Sequence, residues 1–157
     1  MAHRSPNDML ISNEFGQYFA RLPLKKSVNI VHGNALEIEW ETVFPKEELS
    51  FIIGNPPFLG KSNQNVEQKK DLEIISKNVK GAGVLDYVSA WYLKAAQFIQ
   101  NTKIKVGFVS TKSIAQGEQV GILWNLLFNH YKIKIHFVHT ELLVGAMKQK
   151  EMPLFIV

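Results

Sequence analysis

Short apolar runs and amphipathic stretches alternate along this chain. Ser27–His32 and Phe51–Ile53 have the length of buried strands, and each is followed by glycine. Lys105–Val109 is a third such run, and polar and apolar residues alternate over Lys132–Val138 with the period of two that is typical of a strand. The pattern therefore predicts strands at these four places.

Between the strands, apolar residues recur at the three- and four-residue steps of helix faces. The clearest helix is predicted to open at Asp86, as N-cap or first-turn residue, and a second covers about Glu118–Tyr131. The polar connection 59–83 has room for a helix at Gln68–Val79, and Phe15–Leu22 has one apolar helix face. The face predicted to be buried after Asp86 consists of Val88, Trp91, Tyr92, Ala95, Ala96 and Ile99.

The order of these elements predicts an α/β fold with a largely parallel sheet. In such sheets ligands bind at the carboxyl ends of the strands. Two loops follow apolar runs abruptly, Gly33–Leu36 and Gly54–Phe58. We therefore expect the chemistry of the protein in these two loops.

Composition narrows the class of protein without identifying it. The 157 residues are 46% apolar and 20% charged, which suits one globular domain. Without cysteine there is no disulfide, no thiolate metal site and no cysteine nucleophile. The five histidines have no metal-ligand spacing, so no metal site is expected. The net charge of +4 is compatible with a polyanionic partner, and no apolar run approaches the roughly 20 residues of a membrane span.

The segment Asn55-Pro56-Pro57-Phe58 carries the strongest chemical signal. Two adjacent prolines fix two φ angles and remove two backbone donors, so the loop is stiff and rich in unpaired carbonyl acceptors. Asn55 adds a side-chain acceptor, and Phe58 adds a flat ring suited to stacking on a base. A rigid set of acceptors beside a ring suits an aromatic amine. The alternative is a plain Pro-Pro turn whose Phe58 belongs to the core.

Asn-Pro-Pro-Phe after a strand resembles motif IV of S-adenosylmethionine-dependent amino methyltransferases, above all the DNA adenine-N6 enzymes. Val31–Leu36 resembles motif III of that class. Leu85–Tyr92 and Gly107–Gln119 resemble stretches of the MmeI-like group, which are bacterial type II restriction-modification enzymes with endonuclease, methyltransferase and target recognition in one chain. The resemblance covers roughly residues 15–140 and implies a Rossmann-like methyltransferase fold.

The resemblance implies roles for individual residues. Asn55, Pro56, Pro57 and Phe58 would form the catalytic corner: Asn55 and the Pro56 carbonyl accept hydrogen bonds from the adenine amine, and Phe58 stacks on the flipped base. Asn34 and Ala35 stand where the family holds the adenine of the cofactor, although Asp is more usual at the first position. Asp86 and Tyr87 would lie near the cofactor or base pocket, and an N-cap and a core aromatic are the alternatives.

Other residues have weaker signals. Lys61, Lys69 and Lys70 would meet DNA phosphates if DNA lies over the corner. Trp91 and Tyr92 have the spacing of core residues, with a base platform as the alternative.

The family's glycine-rich loop has no counterpart upstream of Gly33, and the acidic residue that would bind the ribose is missing as well. Residues 1–157 are therefore expected to form a single, partial methyltransferase domain without its N-terminal strands. Alone, the chain is expected to bind S-adenosylmethionine weakly or not at all and to be inactive. The unpaired sheet edge is expected to bind the remaining segments of a parent enzyme or to self-associate.

The tail 141–157 departs from the family pattern. Back-translated with a shift of frame, Gly145–Val157 can encode Ser-Asn-Glu-Ala-Lys-Gly-Asn-Ala-Ala-Val-His-Cys, whose first seven residues the family has in this region. The hypothesis is that the tail is out of frame. Genomic DNA that continues the family pattern in the present frame would contradict it.

Together these observations predict a DNA adenine-N6 methyltransferase of a restriction-modification system in the bacterial cytoplasm, with DNA as partner and no membrane. Two alternatives stay open. One is a methyltransferase for a protein glutamine or an RNA base, since those families share Asn-Pro-Pro-aromatic. The other is a non-catalytic remnant without a cofactor site.

Overall fold

The computed structural model describes residues 29–77, 79–139 and 154–156, and of residues 137–139 and 154–156 only the backbone. The chain separates into two compact units, Met1–Ile30 and Val31–Val157, and the architecture below is that of the second. The predicted helix at Phe15–Leu22, the start of the predicted strand Ser27–His32 and most of the tail lie outside the described residues.

The second unit contains both helices and strands. Its elements are α1 (Trp40–Val43), β1 (Phe51–Gly54), α2 (Val66–Ile75), α3 (Ser89–Phe98), β2 (Lys105–Val109), α4 (Gln119–Asn125), β3 (Phe137–His139) and β4 (Leu154–Ile156). A wider π-helical turn, Leu126–His130, continues α4. No described helix meets the length and hydropathy that a membrane span requires.

The four described strands form one sheet in the order β1-β2-β4-β3. β1 pairs with β2 in parallel, with Phe51 opposite Lys105 and Gly54 opposite Phe108. β4 runs antiparallel to both β2 and β3, so three of the four strands point the same way. The α/β class is confirmed, but the sheet is less parallel than predicted, because of the three described pairings only β1 with β2 is parallel. Among the described strands, β1 forms one edge of the sheet.

The core lies where α3 and α4 pack with β2. Of the predicted inward face, Val88, Tyr92, Ala95 and Ala96 are buried as expected, whereas Trp91 and Ile99 are only partly buried. Full burial of one large aliphatic side chain stabilises the fold by roughly 1.5–3 kcal/mol. The most deeply buried aliphatic side chains of the core are Leu85, Val88, Leu93, Ile114, Leu123 and Leu127.

The predicted buried strand Ser27–His32 is wrong over the part that is described. Residues 29–32 form no strand, and Val31 is 53% exposed. The described residues provide no neighbouring strand for this segment, and Val31 lines an apolar groove together with Ile38 and Trp40. β-Branched residues favour strands, but this preference does not produce a strand here, because the described residues include no neighbouring strand with which the segment pairs.

Several predicted boundaries also shift. The helix expected from Asp86 begins at Ser89 with Val88 at the N-cap position, so Asp86 does not cap it. α2 begins at Val66, two residues before the predicted start, because Asn65 and Gln68 form a reciprocal capping box. Within Lys132–Val138 only Phe137 and Val138 are in a strand, although the alternation of exposed and half-buried residues over 132–136 is as predicted.

Candidate functional site

The double-proline corner directly follows β1, at the carboxyl end of that strand. Asn55 and Pro57 are exposed, Pro56 is buried, and Phe58 is 37% exposed. Among the described residues, the Asn55 side chain has no hydrogen-bond partner. The corner therefore presents an amide without a partner among the described residues and a solvent-accessible ring. The alternative of a core phenylalanine requires a hydrogen-bonded amide and a buried ring.

Gly54 brings β1 close to its neighbour just before the corner. A Cβ at this position would lie 3.2 Å from Cε1 of Phe108. That separation is tighter than an ordinary van der Waals contact, so a larger residue would require the Phe108 ring or the strand to shift by a few tenths of an ångström. The glycine thus leaves room for the Phe108 ring directly before the corner.

Two hydrogen bonds hold the backbone that follows Phe58. The Tyr87 N–H donates to the Leu59 carbonyl at 2.8 Å. The Lys61 N–H donates to Oδ1 of Asp86 at 3.2 Å. The segment preceding α3 therefore anchors the corner from the C-terminal side.

The second predicted loop is organised by Asn34. Its Oδ1 accepts from the Leu36 N–H at 3.0 Å, and its Nδ2 donates to Asp71 Oδ2 at 3.0 Å and to Glu37 Oε1 at 3.1 Å. The neighbouring Ala35 is exposed, and its N–H has no partner among the described residues. The loop thus offers one free donor beside an acceptor that still has a lone pair.

Asp71 and Tyr87 join the two loops. Oδ2 of Asp71 accepts from Asn34 and also from the Tyr87 hydroxyl, at 2.7 Å. Since Tyr87 also binds the Leu59 carbonyl, three hydrogen bonds lead from the Asn34 loop to the corner. Burial and the adjacent carboxylate raise the pKa of the Tyr87 hydroxyl well above its usual range, so Tyr87 is a neutral donor.

Lys94 supports the Asn34 loop from α3. Its ammonium donates to the carbonyls of Leu36 at 2.7 Å and Ile38 at 2.6 Å, and it lies 5.4 Å from the centre of the Trp40 ring. Burial lowers the pKa of this ammonium.

The family model of the MmeI DNA-methyltransferase domain matches residues 3–151. The chain belongs to this family. Two relatives agree with the assignment. The chain is 40% identical over 141 residues to DNA methyltransferase A of Bacillus subtilis (strain 168), covering 88% of this chain and 16% of that protein.

A solved relative is the type IIL restriction-modification enzyme MmeI in complex with DNA. The identity is 47% and the TM-score 0.75, over 95% of this chain and 20% of that one. The chain thus spans about a fifth or less of the length of these two relatives. The resemblance to the MmeI-like group, inferred from sequence, is confirmed.

Within this member of the MmeI family, each carboxylate oxygen of Asp86 accepts one hydrogen bond. Oδ1 accepts from Lys61 N–H and Oδ2 from Nε2 of Gln119, at 2.7 Å. Asp86 thus links the backbone that follows the corner to α4. Its proposed contact with the cofactor stays a prediction.

Sequence reasoning missed Asp71 and Gln119. Asp71 lies in the polar segment 59–83, where another acidic residue did not stand out. The available signal was that Asp71 shares a helix face with the apolar residues Leu72 and Ile75, which indicates a buried carboxylate. Gln119 appeared only as the last residue of a family-like stretch. Both are buried, at 9% and 4% exposure, and both bond to residues beside the predicted site.

An apolar groove of about 360 Å³ lies beside the Asn34 loop and along β1. Phe51 and Ile53 on β1 are 63% and 83% exposed at its margin. Ala35 also lines it. No group of three or more potential metal ligands occurs in the part of the chain that the structure describes.

Proposed function

We propose that this chain is part of a methyltransferase domain that transfers a methyl group from S-adenosylmethionine to the N6 amine of adenine in DNA. The observation that carries the proposal is the exposed, unpartnered Asn55 amide beside the accessible Phe58 ring, on a corner made rigid by Pro56 and Pro57. Membership in a DNA-methyltransferase family supports it.

Asn55 Oδ1 and the Pro56 carbonyl accept the two N–H groups of the amine. This draws the nitrogen lone pair toward the methyl group and orients it for in-line attack. Pro57 keeps both acceptors in place by fixing the backbone. Phe58 stacks on the base, which leaves the duplex so that its amine reaches the corner.

When bound, S-adenosylmethionine would supply an electrophilic sulfonium methyl to the amine held by Asn55 and the Pro56 carbonyl; the neutral thioether would be the leaving group, and the proton that the amine loses would pass to solvent. The Asn34 loop fits the adenine part of this molecule, because Ala35 has a free N–H and Asn34 Oδ1 accepts only one bond. This pair matches the acceptor nitrogen and the amino group on one adenine edge. Asp86, whose oxygens each retain a lone pair, is the third proposed cofactor contact.

DNA is the proposed partner, since the solved relative was determined with DNA bound. Lys61, Lys69 and Lys70 are exposed and follow the corner, where they would meet phosphates. As part of a restriction-modification system, the protein would act on DNA in the bacterial cytoplasm.

We further propose that the complete fold is Rossmann-like and that further strands join it at β1. The support is the position of β1 at one edge of the described sheet, with Phe51 and Ile53 exposed. The missing strands would carry the glycine-rich loop. Remaining segments of a parent enzyme, or a second copy, would cover this edge.

The experiment uses a chimera of the solved relative, in which residues 29–139 of this chain replace the matched stretch. Purified chimera is incubated with S-adenosylmethionine and duplex DNA, and the digested nucleosides are analysed by mass spectrometry. We expect N6-methyladenine with the chimera and at least 100-fold less with Asn55→Ala. The matched control Asn129→Ala keeps full activity, since Asn129 is an exposed residue on the π-helical turn.

Methylation of another base, or of RNA or protein in place of DNA, would contradict the adenine assignment. A folded chimera without any methylation, beside an active parent enzyme, would support the non-catalytic alternative.

A further inference from the structure

Gln119, the first residue of α4, is buried and uses its whole amide group. Oε1 accepts from the Asp86 N–H at 2.9 Å and the Ser89 hydroxyl at 3.2 Å. Nε2 donates to Asp86 Oδ2 at 2.7 Å and to the Ser113 carbonyl at 2.6 Å. Two accepted and two donated bonds exhaust what a glutamine amide offers.

Asp86 connects Gln119 to the backbone that follows the corner. One carboxylate oxygen accepts from Gln119 and the other from Lys61 N–H, three residues beyond Phe58. Asp86 presents a backbone donor and a carboxylate acceptor to the same neighbour. A planar group with an acceptor and a donor side by side satisfies both, and glutamine provides it.

We propose that Gln119 is a positioning residue for the Asn55–Phe58 corner. By holding Asp86, it fixes the backbone that follows Phe58 and so the direction of the stacking ring. The part of this inference that concerns base binding rests on the proposed function. We call the hydrogen bonds that join Gln119, Asp86 and the Lys61 N–H the clamp. The existence of the clamp does not depend on the proposed function.

The test exchanges the amide for a carboxyl of nearly equal shape. In Gln119→Glu, the ionised carboxylate faces Asp86 with acceptors only, so the hydrogen bond to Asp86 Oδ2 is lost and the clamp opens. Protonated, it again donates to Asp86 and the clamp closes. Burial and the adjacent carboxylate raise the pKa of such a group above the usual value of about 4.3. The other charged groups near position 119 are the same in all variants, so they do not account for a difference between them. These groups are the Lys61–Glu118 ion pair, at 2.8 Å, and Lys112, which precedes Ser113.

Hydrogen-exchange protection of the Lys61 and Tyr87 N–H groups is measured by NMR on the full chain between pH 5 and 8. For wild type we expect protection factors that do not change with pH. For Gln119→Glu we expect the wild-type protection factor at low pH and a decrease of at least tenfold as pH rises. Gln116→Glu, the same change at an exposed position of the same segment, stays flat. Wild-type protection in Gln119→Glu at all pH values, or equal loss at all of them, would overturn the clamp.

Asp86→Asn keeps the result interpretable if Gln119→Glu unfolds at high pH. Lys61 and Gln119 bind different oxygens of Asp86, so the amide of Asp86→Asn places its NH₂ group against one of these two donors and weakens the hydrogen bonds that hold position 86. We expect reduced Lys61 protection at every pH, without a transition. Unchanged protection in a folded Asp86→Asn would overturn the clamp.

Binding of an oligothymidylate with one central adenine, relative to the same strand with purine, is measured on the same samples. Purine lacks the exocyclic amine. If the Lys61 and Tyr87 N–H groups of wild type are protected from exchange but wild type binds the adenine and purine strands equally, the proposed function is contradicted and the clamp is supported. If wild type prefers adenine and Gln119→Glu does so equally at every pH, the positioning role fails. We expect the preference in Gln119→Glu to fall with rising pH in parallel with protection.

Discussion

The Tyr87 hydroxyl donates a 2.7 Å hydrogen bond to Asp71. The same carboxylate oxygen holds Asn34, and the Tyr87 backbone holds Leu59. One tyrosine before α3 thus connects the loop that precedes α1 with the loop that follows β1. The two segments that the sequence marked for chemistry are therefore joined by specific hydrogen bonds.

Replacing Tyr87 with Phe removes one donor from buried Asp71 and keeps the ring, including its edge contact with Trp91. We expect a loss of about 1.5–3 kcal/mol in the free energy of unfolding, since the lost bond is to a charged group. Urea denaturation measures it. Tyr131→Phe is the matched control and should change stability by less than about 0.5 kcal/mol. A Tyr87→Phe protein as stable as wild type would contradict the bridging role.

Alkaline pH should weaken the fold through Tyr87 and Tyr92. Burial raises the pKa of both hydroxyls above the usual value of about 10. Above pH 10 the unfolded chain therefore loses these protons before the folded chain does, and the free energy of unfolding falls as pH rises. Below pH 10 this contribution is complete.

The test follows unfolding of wild type, Tyr87→Phe and Tyr92→Phe from pH 7 to 11. Each variant should show a shallower decline than wild type, because one of the two groups no longer titrates. Identical slopes in all three proteins would show that neither hydroxyl contributes.

Lys94→Met should loosen the Asn34 loop. The change removes two charge-assisted bonds to the carbonyls of Leu36 and Ile38 while keeping the aliphatic stem. We expect about 1–3 kcal/mol of destabilisation and faster amide exchange at Glu37 and Ile38, whose N–H groups bind Asn34 O. Lys70→Met, at an exposed position on α2, serves as control. Exchange rates unchanged from wild type would refute this support.

The predictable part of the fold was the part whose signal is local. Lys105–Val109 and the buried face of α3 follow from period and composition, and the corner follows from two prolines. The failures involve partners distant in sequence. Asp86 resembled an N-cap, but its oxygens bind Lys61 and Gln119, 25 and 33 residues away. Asp71 became part of the site only because α2 brings it to Asn34 and Tyr87.

The exposed face of β1 should promote self-association. Phe51 and Ile53 lie on an edge strand and are largely exposed. We expect the weight-average mass in sedimentation to rise with concentration, and Ile53→Lys to abolish most of that rise. Ile74→Lys replaces an isoleucine of α2 that is 61% exposed and should leave it unchanged. A wild-type chain that sediments as a sharp monomer at high concentration would count against this interpretation.

Direct recognition of an exocyclic amine by Asn55 is the central claim. It is tested by titrating the chain with labelled oligothymidylates that carry one central adenine or one central purine. The two strands differ only in the amine, which is expected to add two hydrogen bonds of roughly 0.5–1.5 kcal/mol each. Phe58→Ala should weaken binding of both strands alike, because stacking does not depend on the amine.

The decisive quantity is the ratio of the two dissociation constants in wild type and in Asn55→Ala. We predict about tenfold tighter binding of the adenine strand by wild type. Asn55→Ala should lose most of that preference, and Asn129→Ala should retain it. Equal affinity of wild type for both strands, or a preference that survives in Asn55→Ala, would contradict the account.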